Sequence, residues 1–140
     1  YGSSNFIRVK ESYFKAVFYG FNLMIISGLI IFFSADRIVS IFSNNPEVIK
    51  YGTMYLKISA LIFPAYPIFF ISNGFFMAIK KSSYSMYLNI IRNVILPIPT
   101  ILVANFFDGG FDTFFWSYCF FNWVYVICLF IFVTSYIKKI

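Results

Sequence analysis

The chain has 140 residues, 61% of them hydrophobic and only 11% charged, with a formal net charge of +6. Soluble domains carry about 25% charged residues, so a water-soluble domain is excluded, as the mean hydropathy of +0.82 also indicates. In so apolar a chain the positive charge speaks of membrane topology rather than of a nucleic-acid surface, and the absence of histidine removes His triads and His-ligated metals.

The chain opens at Tyr1 in a polar segment carrying Arg8, Lys10 and Glu11, with no cleavable signal-peptide pattern, and so reads as a piece of something longer. The first apolar run covers 13–33, about the 20 residues needed for one bilayer crossing. In the connection that follows, Ile38, Val39, Ile41 and Phe42 alternate with Asp36, Arg37 and Ser40, which suits a short helix lying in the membrane interface. Asn45-Pro46-Glu47 is then a helix start: Asn as the cap, Pro at the first helical position, Glu favoured by the helix dipole. That helix runs on into a second span, 56–79, with Pro64, Pro67, Ser72, Asn73 and Gly74 inside it. Lys80-Lys81-Ser82 is a short turn, and the third span covers 84–107. Asp108-Gly109-Gly110-Phe111-Asp112 is a second tight turn before a fourth span, 113–136, which ends in Lys138 and Lys139. The expectation is an all-α integral membrane protein, one domain over 1–140, with four antiparallel transmembrane helices and a short interfacial helix between the first and second.

Charge sorts the two sides. Four antiparallel spans put Arg8, Lys10, Lys15, Lys80, Lys81, Lys138 and Lys139 on one side with Glu11 as the only acid; the other side holds Arg37, Lys50 and Lys57 with Asp36, Glu47, Asp108 and Asp112. Excess Lys and Arg marks the cytoplasmic face, so both termini are expected there. Cys119 and Cys128 are nine positions apart on one helix, about 13 Å by helical rise, too far for a disulfide, and read as small buried hydrophobes.

The third span carries the most unusual pattern. Asn89, Arg92 and Asn93 form a polar stripe in an apolar helix, and Pro97 and Pro99 follow. A guanidinium in hydrocarbon costs roughly 3 kcal/mol or more without a partner, and prolines remove helix hydrogen bonds that lipid cannot replace. Such a stripe either faces a wet transport cavity or consists of an Arg snorkelling to the interface beside simple helix bends. The cavity reading is carried forward, with Tyr66 and Asn73 of the second span as further lining. Pro64, Pro67, Pro97 and Pro99 are read as hinges or fixed bends. Ser72 and Asn73 are equally read as bonding neighbouring helices, and Tyr118, Asn122 and Tyr125 as core packing of the fourth span. Trp116 reads as an interface anchor.

Taken together, Asn5-Phe6-Ile7-Arg8-Val9-Lys10 before the first span, Pro46-Glu47-Val48-Ile49, Tyr55-Leu56, Gly74 ahead of Lys81, and Arg92 ahead of Ile98-Pro99 resemble the multidrug and toxic compound extrusion (MATE) family of exporters. No single motif is specific; their order and spacing are. The resemblance covers nearly the whole chain and implies the last four of twelve helices, hence an absent N-terminal lobe or partner helices. It implies secondary active transport of drugs or small organic cations by proton- or sodium-coupled antiport at the plasma membrane, with no bound cofactor. An enzyme is not expected, because no span carries a carboxylate, a histidine or a nucleophile pair to do chemistry. Ser3 and Ser4 depart from the family pattern, and Ala78 and Lys80 stand where it has glycines. Tyr66 occupies the place of an acidic residue in the sodium-coupled branch, and no span contains Asp or Glu, so a coupling carboxylate must come from elsewhere. Two alternatives remain: a lipid-linked oligosaccharide flippase of the same superfamily, and a four-helix accessory membrane protein without transport activity.

Overall fold

The structure, a computed structural model, describes residues 5–140; the substitutions at Ser3 and Ser4 lie outside the described residues. Asn5 opens the first helix by accepting the Arg8 backbone N–H at 3.3 Å, and α1 then runs unbroken over Phe6–Phe42, about 55 Å at 1.5 Å per residue. Polar side chains inside its apolar stretch bond to their own helix, as lipid requires: Asn22 donates to the Phe18 carbonyl at 2.7 Å and Ser27 to Leu23 at 3.0 Å. The stretch from Ile38 to Phe42, expected to lie in the interface, is helical but continuous with the first span. Its partner is the next helix, α2 (Pro46–Ile62), since Val39 is buried against Gly52, where an added Cβ would stand 2.9 Å from the Val39 side chain. The start of α2 is as the sequence indicates: the Asn45 side chain accepts the Glu47 N–H at 3.0 Å, with Pro46 at the first position.

The second span is two helices, α2 and α3 (Ala65–Ala78), bent by 49° at Phe63-Pro64. The third is α4 (Ser82–Ile90), a π-helical turn (Ile91–Ile95) and α5 (Pro97–Phe106), and the fourth is α6 (Gly110–Lys139). By length and composition α1, the 25-residue stack Ser82–Phe106 and α6 can each cross a membrane, and the bent pair makes a fourth crossing if taken as one span.

The bent pair and α6 form the centre. α1 packs on α2 and α3, both of which pack on α6, while α4 packs on α3 and α5 on α6. Tyr13, Phe69, Phe75, Phe76, Val133 and Ile137 make one core cluster; Ile58, Ile62, Ala65, Cys119 and Val126 make the other. Both cysteines are free, but only Cys119 is buried; Cys128 points outward, a correction to the sequence reading, because it falls on the opposite side of α6 from Cys119. The outer face of α1 leaves Phe18, Tyr19, Leu23, Ile26 and Ile30 exposed, the composition that hydrocarbon solvates.

The start of α1, the end of α6 and the α3–α4 turn share one end of the bundle, where Phe6, Val9, Lys10, Ile79, Ile137 and Ile140 meet. At the opposite end, ring contacts Tyr51–Phe111 (6.2 Å) and Tyr55–Phe115 (5.3 Å) tie α2 to α6. The α3–α4 turn closes with the Lys81 N–H on the Phe76 carbonyl (2.9 Å) and the Lys80 N–H on Met77 (3.1 Å), a Schellman pair that forces Lys80 to φ +61°.

Candidate functional site

Two interruptions of helical backbone lie within the spans. At the first, Pro64 has no N–H to give the carbonyl of Ala60, four residues earlier. α1 approaches that carbonyl at Gly28, where a Cβ would come within 2.8 Å of the oxygen. One residue on, the Leu61 carbonyl accepts the Trp123 indole N–H from α6 at 3.0 Å. The second interruption is the π turn. The ring of Pro97 would clash with the carbonyl four residues back, at Asn93, and the backbone widens instead, so that the Leu96 N–H bonds to Ile91 at 2.8 Å. The four prolines at these two interruptions stand just before a helix or in its first turn, where an intrahelical N–H is not needed: Pro64 caps α3, Pro67 is its third residue, and Pro97 and Pro99 open α5. Pro67 is buried, and its ring meets α1 at Gly20, where an added Cβ would lie 2.9 Å away.

Arg92 sits in the π turn and is only 8% exposed. Its guanidinium carbon lies 4.1 Å from the Phe69 ring centroid, 4.8 Å from Tyr66 and 5.8 Å from Phe70, all on α3. A cation desolvated over such faces gains about 2 kcal/mol or more, offsetting much of its cost in hydrocarbon. The direction of the side chain is informative. α3 and α4 are antiparallel, and their register is fixed by Asn73 of α3 facing Ser85 and Asn89 of α4. Arg92 is therefore level with residues near 68, and the rings it meets, Tyr66, Phe69 and Phe70, bracket that level within two residues on either side, so the guanidinium stays at its own depth. The arginine does not snorkel toward that end.

Asn73 gathers the remaining polar groups. Its side-chain oxygen accepts from Ser85 and, at 3.3 Å, from Asn89, which also donates to the Ser85 carbonyl at 2.9 Å. Tyr66 and Arg92 are thus brought together, and so are Asn73 and Asn89. Asn93 is not: the π turn rotates the helix, leaving Asn93 exposed while Arg92 is buried. The single stripe expected from helical spacing is therefore divided, because that spacing presumes 3.6 residues per turn.

Three features escaped the sequence reading. The π turn itself has no residue signature beyond the prolines after it. The Tyr125 hydroxyl donates to the Leu88 carbonyl at 3.0 Å, linking α6 to the helix just before Arg92. Asn122 is in the core, as expected, yet fully enclosed with neither amide atom hydrogen-bonded. An Asn in the middle of an apolar run was visible; its lack of a partner depends on packing between helices, which no pattern within one helix reports.

A family model, MatE, matches residues 1–103, which takes in α1 through most of α5. The chain belongs to the MatE family. This is the multidrug and toxic compound extrusion family that its motifs resemble, and MatE proteins are membrane transporters, not enzymes. The protein is accordingly a multi-pass membrane transporter protein of the MATE superfamily. No curated protein and no solved structure matches the chain.

Proposed function

We propose that the chain forms part of a secondary active transporter that exports drugs or organic cations by proton- or sodium-coupled antiport. The observation that carries this reading is Arg92, held over Tyr66 and Phe69 at an interrupted helix inside a span, beside the Asn73–Ser85–Asn89 cluster. Interrupted helices with polar side chains deep in a span are how secondary transporters build their sites. Membership in the MatE family gives the transport class. Four crossings do not make two lobes, so further helices complete the pathway, and the coupling carboxylate lies on them. The charge distribution favours cytoplasmic termini, and the plasma membrane is proposed from the resemblance to exporters, not from charge. Tyr66, Asn73, Asn89, Arg92 and Asn93 are the residues assigned to the cavity, and Pro64, Pro67, Pro97 and Pro99 to the bends on which alternating access turns.

The test is efflux of a fluorescent organic cation from source cells before and after disruption of the coding segment, with the proton and sodium gradients collapsed in turn. Loss of gradient-driven efflux on disruption, restored by the wild type but not by Arg92→Leu, is the expected result. Efflux unchanged by disruption would overturn the proposal.

A further inference from the structure

We propose that Arg92 is a binding site for a carboxylate group deep in the membrane. The inference rests on the Arg92 geometry used above but extends it to a ligand of opposite sign to an exported cation. Arg92 is more than nine-tenths buried, and among the described residues no hydrogen bond or ion pair reaches its five N–H donors. Its stabilisation comes from the faces of Phe69 and Tyr66, and a ring face satisfies charge but not the in-plane N–H groups.

Geometry selects the ligand. Phe69 covers one face of the guanidinium at 4.1 Å, so a partner approaches along the edge, where paired N–H groups match the two oxygens of a carboxylate. Charge selects it too. The five acids of the chain, Glu11, Asp36, Glu47, Asp108 and Asp112, lie toward helix ends or in turns, leaving Arg92 a permanent positive charge inside a span. A metal cation is repelled there. A phosphate dianion leaves the pair with net negative charge in hydrocarbon, whereas a monoanionic carboxylate leaves it neutral; the phosphodiester of a lipid headgroup, also a monoanion, is held at the interface, away from the depth of Arg92. Access is over Tyr66, which is half-buried, and Phe70, which is exposed. The carboxylate comes either from a helix outside the described residues or from a solute.

Purified full chain in neutral detergent, titrated with decanoate, decanamide and decyltrimethylammonium, tests this by thermal unfolding. Decanoate is expected to raise the midpoint saturably, at concentrations about tenfold lower than either control, and Arg92→Gln to lose that preference while Arg92→Lys keeps part of it. If Arg92→Gln does not fold, the infrared carboxylate stretch of 13C-labelled decanoate on the wild-type chain replaces it, with a shift to the bidentate ion-pair position expected. Equal response to all three amphiphiles, preference retained in Arg92→Gln, or an unshifted carboxylate stretch would each overturn the proposal. The same titration in source membranes separates the sources, since a side-chain carboxylate already in place blocks decanoate and a solute site stays open to it. Failure of dye efflux to depend on this segment would sink the export reading while leaving these binding results intact.

Discussion

Trp123 of α6 donates its indole N–H to the Leu61 carbonyl of α2, 3.0 Å away, beside the bend that divides the second span. The carbonyls of a helix's last turn have no intrahelical donors, and in hydrocarbon no water supplies one. Trp123→Phe keeps an aromatic ring and removes only that donor. The expected outcome is a loss of about 1–2 kcal/mol in unfolding free energy, measured by denaturant titration in detergent, with helix content of the folded state unchanged by circular dichroism. An unaltered midpoint would mean that the indole contributes shape alone.

The same bend demands a glycine on its other side. At Gly28 an added Cβ would stand 2.8 Å from the Ala60 carbonyl oxygen, which is backbone and cannot rotate away. Gly28→Ala is expected to push α1 off α2 and cost about 1–3 kcal/mol, the usual range for overpacking. Gly74 provides the contrast, since nothing lies within 4 Å of its missing Cβ. Gly74→Ala is expected to stabilise α3 by roughly 0.5–1 kcal/mol through lower backbone entropy in the unfolded chain. Thermal unfolding of the two variants side by side reads both signs.

Lys80 holds a left-handed backbone, φ +61°, in which a Cβ is crowded by the neighbouring carbonyl. The Schellman closure of α3 requires that conformation, which glycine adopts without a Cβ penalty. Lys80→Gly is expected to raise the unfolding free energy by about 1 kcal/mol, whereas Lys80→Ala, which keeps the Cβ, should leave it nearly unchanged. A gain with alanine equal to that with glycine would assign the effect to charge instead of backbone.

The spans and their order were legible because long apolar runs are a property of composition along the chain. The helix start at Asn45-Pro46 was legible for a local reason: cap and dipole act within one turn. What the sequence did not reveal depends on contacts between helices. Ile38–Phe42 reads as an independent interfacial helix until Gly52 is seen to admit Val39 at close range and carry α1 onward. Arg92 and Asn93 read as one stripe until the π turn sends one inward and the other outward. The pairing of Arg92 with Tyr66 joins residues 26 positions apart, and no periodicity within one helix reports it.

Adjacent residues of α3 bind opposite neighbours, which makes this helix the tie between α1 and α4. The Tyr13 hydroxyl and Ser72 Oγ are 2.8 Å apart in the buried α1–α3 contact, while Asn73 turns to Ser85 and Asn89. If Ser72 served only as a small residue allowing close approach, Ser72→Ala would cost little and would not alter the effect of Tyr13→Phe. If the bond itself holds α1, each single variant leaves a polar partner stranded in an apolar contact, and the double variant costs less than the sum. Measured couplings of this kind inside membranes average about 0.6 kcal/mol and reach about 1.7. Because both groups are nearly fully enclosed and the geometry is short and direct, the upper half of that range is expected here. A double-mutant cycle on unfolding free energies returns the value, and additivity within error would assign the α1–α3 contact to packing of Val17, Phe69 and Phe75 instead.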